Sequence, residues 1–333
     1  MKFRRAMAAV LSCAIAALSL ASVTSCDSGK DKNPASKDSY TIGICQLVQH
    51  PALDAATEGF KAALIEKLGE DKVTFDYQNA SNDSTVCATI ANKFVSSNVD
   101  LIMTNATAAL QASMAATADI PIVATSITDY ATALDISDWK GTTGINVTGT
   151  SDLAPLDKQA EMVKELVPDA KKVGILYCSG EANSKYQATV VGSHFDTLGL
   201  KHEDYTFADS NDISMVVTKA CKECDVLYIP TDNTAANNAE LINNIAAPAG
   251  IPIVAGEEGI CKGCGMATLS ISYYSIGYNA GLMAYDILVN GKNPAEMEIQ
   301  YATDLTNKYV ASRCEALKIT VPDGYEAIDE TAE

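Results

Sequence analysis

Thr41-Ile42-Gly43-Ile44 and Ile120-Pro121-Ile122-Val123 return as Lys172-Val173-Gly174-Ile175 and Ile251-Pro252-Ile253-Val254, in both cases 131 positions further along the chain. Between these anchors Ser81-Asn82-Asp83 recurs as Ser210-Asn211-Asp212, and Val99-Asp100-Leu101-Ile102 has a counterpart in Cys224-Asp225-Val226-Leu227. The same elements therefore come twice in the same order, the mark of an internal structural repeat. Two similar lobes in one chain leave a cleft between them, and such clefts are where small ligands are held.

Hydrophobic periodicity fills in the repeat. In the first copy, 40–47 reads as a buried strand. Pro51–Leu68 reads as a helix with Leu53, Ala56, Phe60, Ala63 and Leu64 on one face, ended by Gly69. Strand 73–77, helix 84–97, strand 100–104, helix 107–117, strand 120–125 and a short strand 144–146 continue the alternation. The second copy runs strand Lys172–Cys178, helix 184–198, strand 201–206, helix 213–222, strand 225–229, helix 234–247, strand 251–255 and strand 266–270, before a helix at 276–289. Strands that are apolar on both faces and alternate with helices indicate parallel sheets covered on both sides. Two late segments, 298–301 and 308–312, read as short strands without a partner in the repeat. They are expected to return to the first lobe and cross back, which makes a hinge of crossing strands. The expected fold class is α/β, two Rossmann-like lobes with parallel sheets, divided as 40–148 plus 272–300 and 149–271 plus 301–333.

The first 39 residues stand apart. Lys2, Arg4 and Arg5 precede an uncharged apolar run over 6–23, the pattern of an export signal at 1–25. Val23-Thr24-Ser25-Cys26 resembles a bacterial lipobox, in which the cysteine is lipidated and becomes the mature N-terminus. Residues 26–39, rich in Ser, Lys, Asp, Asn and Pro, then read as a tether. The expectation is an extracytoplasmic protein held to the bacterial cell membrane by a lipid on Cys26. Across all 333 residues the formal net charge is −18, which argues against nucleic acid as a partner because phosphate binding needs clustered Lys and Arg.

In open parallel sheets the ligand sits off the carboxyl ends of the strands. Here those ends are the loops 46–50, 105–107, 126–129, 180–184, 231–234 and 256–258. At them the sequence resembles the ABC-transporter substrate-binding lipoproteins of the tryptophan/tyrosine (aromatic amino acid) type, within the periplasmic-binding-protein type I architecture. The segments that carry the resemblance are Ile127-Thr128-Asp129, Asn146-Val147-Thr148-Gly149, Gly180-Glu181-Ala182-Asn183-Ser184, Pro230-Thr231-Asp232-Asn233-Thr234, Gly256-Glu257-Glu258-Gly259 and Tyr273-Tyr274-Ser275-Ile276-Gly277-Tyr278, in order from about 40 to 293. Tyr130 stands where that family usually has Pro, and Cys178-Ser179 where it has Asn-Pro. The resemblance implies capture of a small ligand, an aromatic L-amino acid, and its delivery to an ABC permease and its ATPase, with no cofactor and no catalysis. A ligand-sensing subunit for a membrane receptor, or a binder of another small polar solute, is the alternative.

An α-amino acid needs a carboxylate site and an ammonium site close together. Helix starts at Thr107 and at Asn183-Ser184 offer N–H groups and hydroxyls to a carboxylate. Asp232, between a strand end and a helix start, is the candidate ammonium partner, with helix capping as its bland reading. Asn233, Ser126, Gln46 and Glu257 join it by position, with Glu258 beside them, and Tyr177 and Tyr130 are the candidate stacking surfaces. His50 sits at a cleft loop as well. Eight cysteines follow the lipobox. Cys221-x-x-Cys224 with Cys261-x-x-Cys264 has zinc-site spacing, but disulfides or free thiols are the commoner outcome, so no metal is expected. No Walker loop or dinucleotide fingerprint is present.

Overall fold

The computed structural model describes residues 37–331, so the signal, the lipobox and nearly all of the tether lie outside the described residues. The first copy comprises β1 (Tyr40–Gln46), α1 (Pro51–Leu68), β2 (Val73–Asn79), α2 (Ser84–Ser96), β3 (Leu101–Asn105), α3 (Thr107–Ala116), β4 (Ile122–Ile127), α4 (Tyr130–Ala133) and β5 (Val147–Ser151). Then come α5 (Leu156–Leu166), β6 (Lys172–Cys178), α6 (Ala182–Thr197), β7 (Lys201–Phe207), α7 (Ile213–Glu223), β8 (Val226–Ile229), α8 (Asn233–Asn237), α9 (Ala239–Ala249), β9 (Ile253–Ala255), α10 (Glu258–Cys264) and β10 (Ala267–Ser270). The chain closes with α11 (Tyr273–Asn290), β11 (Gln300–Tyr301), β12 (Thr306–Tyr309), α12 (Ala311–Leu317) and β13 (Glu326–Ala327).

Local chemistry sets several of these limits. Pro51 opens α1, where its missing N–H costs nothing, and Gly69 stops the helix at φ 93° while donating its N–H to the Ile65 carbonyl. Asp83 caps α2 by accepting from the Thr85 and Val86 N–H groups. Three expectations shift. The strand read at 144–146 begins instead at Val147, because Gly144 lies at φ 71°. The helix read at 234–247 breaks at Asn238 into α8 and α9. The strand read at 308–312 ends at Tyr309, and α12 starts two residues later.

The two sheets repeat one topology. The first has the order β11-β5-β4-β3-β1-β2 and the second β13-β12-β10-β9-β8-β6-β7, so 2-1-3-4-5 in one copy answers 7-6-8-9-10 in the other. All pairings are parallel except β12 against β10. Central strands β1, β3, β4, β6 and β8 are buried almost throughout, as sheets covered on both faces require. The chain passes from one sheet to the other three times, after β5, after β10 and after β11. Ser151 and Tyr301 pair with each other in the first sheet, so the crossings fall a few residues beyond the expected boundaries at 148/149 and 300/301.

Helix α11, entered from the second sheet, packs along α1 of the first. Glycine permits this close approach. A Cβ on Gly277 would lie 1.9 Å from the Ala56 carbonyl oxygen, and one on Gly59 would lie 2.1 Å from that of Tyr274. The N-terminal ends of both helices are thereby held at the mouth of the cleft.

Candidate functional site

Between the lobes, at the carboxyl ends of both sheets, the walls close on a narrow pocket with about 10 Å³ of free space, so a ligand enters only as the lobes part. The first lobe supplies His50 after β1, Leu53 on α1, Ser126 and Thr128 at the end of β4, and Asp152 after β5. The second supplies Asn183 at the start of α6, Thr231, Asp232 and Asn233 after β8, Ala236, and Glu257 after β9, while Tyr273 enters from the first turn of α11. Five of the six loops named from sequence reach the pocket; the 105–107 loop does not.

Three acids line it, all deeply buried. Asp152 accepts from the Tyr273 hydroxyl (2.9 Å) and the Thr128 hydroxyl (3.3 Å), and burial pushes its carboxyl up to about 6. Glu257 caps α10 by accepting from the Gly259 N–H (2.6 Å) and the Ile260 N–H, and burial holds it at about 7. Asp232 accepts from the Ala235 N–H and the Cys178 N–H, both at 2.7 Å, and is pushed up by burial and then by the charge of Glu181. Asp152 takes two side-chain hydroxyls, whereas Glu257 takes two backbone amides and Asp232 two backbone amides with the Ser184 hydroxyl; hydroxyls can turn to suit a ligand.

The helix starts differ in what they have left to offer. At α8 the Asn233 and Thr234 N–H groups already donate to the Glu181 carboxylate, at 3.0 and 2.8 Å. At α6 no side chain caps the first turn. Ser126 adds a hydroxyl to the pocket from the first lobe: it sits at φ 57°, where the β4–β5 register shifts, and its Oγ is buried without a protein partner. A left-handed residue other than glycine is uncommon, and such positions gather at binding sites. His50 Nδ1 is the second unpartnered buried atom of the pocket.

Hydrogen bonds tie the lobes across the cleft. His50 Nε2 lies 3.4 Å from Asn233 Oδ1, the Asn82 amide donates to the Thr234 hydroxyl at 3.0 Å, and Gln187 donates to the Thr128 hydroxyl at 3.2 Å.

Among the residues expected from sequence, Asp232, Asn233, Asn183, Ser126, Glu257 and His50 line the pocket. The others do not. Gln46 spends its amide on the Val48 carbonyl and Asp54 and its oxygen on Thr57. Thr107 is buried in the first turn of α3, and Ser184 lies beneath Asn183 with no exposure. Tyr177 donates to Asp204 on the neighbouring strand β7 and packs in the core. Tyr130 is 1% exposed, stacks on Trp139 at 6.4 Å, and has its hydroxyl 3.1 Å from the Ala124 and Thr150 carbonyls, so it braces β4 against β5. Thr128 and Thr231 fall within loops named in advance and Tyr273 within a segment that carries the resemblance, whereas Asp152 is an addition of the structure.

All eight described cysteines are free thiols. The two Cys-x-x-Cys pairs do not converge: among the described residues no group of three or more His, Cys, Asp and Glu could hold a metal. The 261–265 segment is instead clasped by Arg313, whose guanidinium donates to the carbonyls of Cys261, Lys262, Gly263 and Gly265.

The chain is similar to several known proteins. A tyrosine-binding protein of Clostridioides difficile is 37% identical over 274 residues, 82% of this chain and 79% of its own length. The crystal structure of an ABC domain from Streptococcus pneumoniae in complex with L-Trp is 30% identical, covers 87% of this chain and 100% of its own, and superposes with a TM-score of 0.83. A ligand-free, open substrate-binding protein of Clostridium difficile is more similar in sequence, at 34% with 87% and 99% covered, yet superposes with a TM-score of only 0.67. The two lobes therefore stand in an arrangement nearer that of the L-Trp complex. Residues 41–328 match the model of the ABC transporter substrate binding proteins, and the chain belongs to that family.

Proposed function

We propose that this substrate-binding protein captures an aromatic L-amino acid in the interlobe cleft and delivers it to an ABC permease outside the cytoplasm, with Cys26 carrying the lipid that keeps it at the membrane. The observation that carries the ligand class is the charge of the cleft: three buried acids line it and no lysine or arginine does, so a ligand bearing a cation is favoured. The α-ammonium pairs with Asp152. The α-carboxylate lies at the uncapped first turn of α6, around Asn183, with the Ser126 hydroxyl beside it. Leu53, Ala236 and the ring of Tyr273 offer the apolar surface that an aromatic side chain needs. The names of the relatives, one tyrosine-binding and one crystallised with L-Trp, support the same class.

On this reading the cleft binds and releases its ligand unchanged, and opening and closing about the three crossings couples capture to permease recognition. Mass spectrometry of whatever is released when the purified protein is denatured tests the ligand class. Tyrosine or tryptophan is expected. A stoichiometric non-aromatic solute would overturn it.

A further inference from the structure

The ring of His50 carries more information than its place in the cleft. Glu181 accepts from both the backbone N–H (3.0 Å) and the side-chain amide (2.7 Å) of Asn233. A carboxylate beside that amide fixes its orientation, NH₂ toward Glu181 and Oδ1 toward His50. Oδ1 can only accept, so the proton at the 3.4 Å contact sits on His50 Nε2. On a neutral ring Nδ1 is then a bare acceptor. It is buried at the wall of the cleft, on a residue 8% exposed, and no group of the protein donates to it.

Burial lowers the His50 pKa, with the Asn233 bond and the charges of Asp54 and Glu181 acting in the opposite sense. The neighbours of His50 are distinct from those of Asp152. Asp152 is grouped with Thr128 and Tyr273, whereas His50 is grouped with Asn233, and Leu53 and Ala236 follow one helical turn after each. A ligand with its ammonium at Asp152 and its side chain against Leu53 and Ala236 would meet His50 Nδ1, an acceptor with no protein donor.

We infer that His50 is the specificity-determining residue of the cleft: its Nδ1 accepts a hydrogen bond from a donor at the tip of the aromatic side chain, the phenol O–H of tyrosine or the indole N–H of tryptophan. This rests on the aromatic amino-acid reading above. Phenylalanine has no such donor and would leave Nδ1 desolvated and unpaired, which weakens binding by roughly five-fold to a hundred-fold.

The test is calorimetric titration of the parent, His50→Leu and His50→Asn with L-tyrosine, L-tryptophan and L-phenylalanine, with thermal melts to confirm folding. The readout is the ratio of affinities, because a merely structural role for His50 would weaken all three ligands together. The parent should prefer tyrosine or tryptophan over phenylalanine by at least five-fold. His50→Leu should bring that ratio close to one, and His50→Asn, which puts an amide oxygen near the place of Nδ1, should restore part of it. A parent that binds phenylalanine as tightly as the other two overturns the inference and leaves the ligand class standing. Should His50→Leu not fold, that comparison in the parent still decides. A preference that survives in folded His50→Leu also overturns it. A parent that binds none of the three overturns the ligand class and this inference with it.

Discussion

Asp152→Asn separates the ammonium site from the scaffold around it. Asparagine keeps the shape of the side chain, and the Tyr273 and Thr128 hydroxyls can donate to it or accept from it, so the packing survives. Affinity does not. An α-ammonium taken out of water against a neutral amide has lost one partner of a buried charged pair, which costs about 2 to 5 kcal/mol, or on the order of thirty-fold to several thousand-fold. Ligand-free stability should move the other way. Burial holds the Asp152 carboxyl near 6 rather than its ordinary 3.8, so the neutral form is favoured by about 3 kcal/mol, an upper bound on what is gained at neutral pH when the charge is removed. Isothermal titration with L-tyrosine and L-tryptophan, alongside thermal melts without ligand, should therefore show a large loss of affinity with an equal or higher melting temperature. Asp232→Asn is the control: asparagine can still cap α8, but its NH₂ must then face the Cys178 N–H, which should cost about 1 kcal/mol of stability while changing affinity little. If Asp152→Asn binds within a few-fold of the parent while Asp232→Asn loses thirty-fold or more, the ammonium sits at Asp232 and the reasoning fails.

The remaining predictions share the same geometry. Binding a cation lowers the Asp152 pKa in the complex below its ligand-free value of about 6, so the complex holds fewer protons than the free protein. Affinity should be flat above that pH and fall toward ten-fold per unit below it, and Asp152→Asn should abolish the fall; affinity that rises on acidification contradicts this. Gly277→Ala forces a Cβ against the rigid Ala56 carbonyl and should cost about 3 kcal/mol, seen as a melting temperature lower by roughly 5–10 °C. An unchanged melt would mean that α1 and α11 do not approach this closely. Cys26→Ser should release the protein from membranes or leave it unprocessed, and a mature N-terminus far from residue 26 would refute the lipid anchor.

Much of this was legible because the repeat and the apolar strands are local signals. The spacing around Leu53 and Phe60 marked α1 to its last residue, and the loops at 126–129 and 231–234 follow once the strands are placed. Short helices escaped: α4 is a single turn behind the Asp129 cap and α10 only seven residues between Glu257 and Gly265, too short for a helical period to show, while α5 starts after Pro155 with no side-chain cap to announce it. Asp152 was hidden by a local error, since a strand read at 144–146 does not end at residue 152, whereas β5 at Val147–Ser151 does. Tyr177 and Tyr130 show a different limit. A tyrosine near a strand end looks like a stacking platform, and only packing reveals that Tyr177 reaches Asp204 while Tyr130 reaches two carbonyls. The tautomer of His50 is least legible of all, because it depends on Glu181 and Asn233, more than a hundred residues away.

The central claim is that the cleft takes an aromatic amino acid by its ammonium and its ring together. Calorimetric titration of the mature protein against the twenty common L-amino acids tests it most directly. The account predicts saturable one-to-one binding of tyrosine or tryptophan, with non-aromatic amino acids weaker by at least ten-fold; tighter binding of a non-aromatic amino acid, or of none of the twenty, would contradict it.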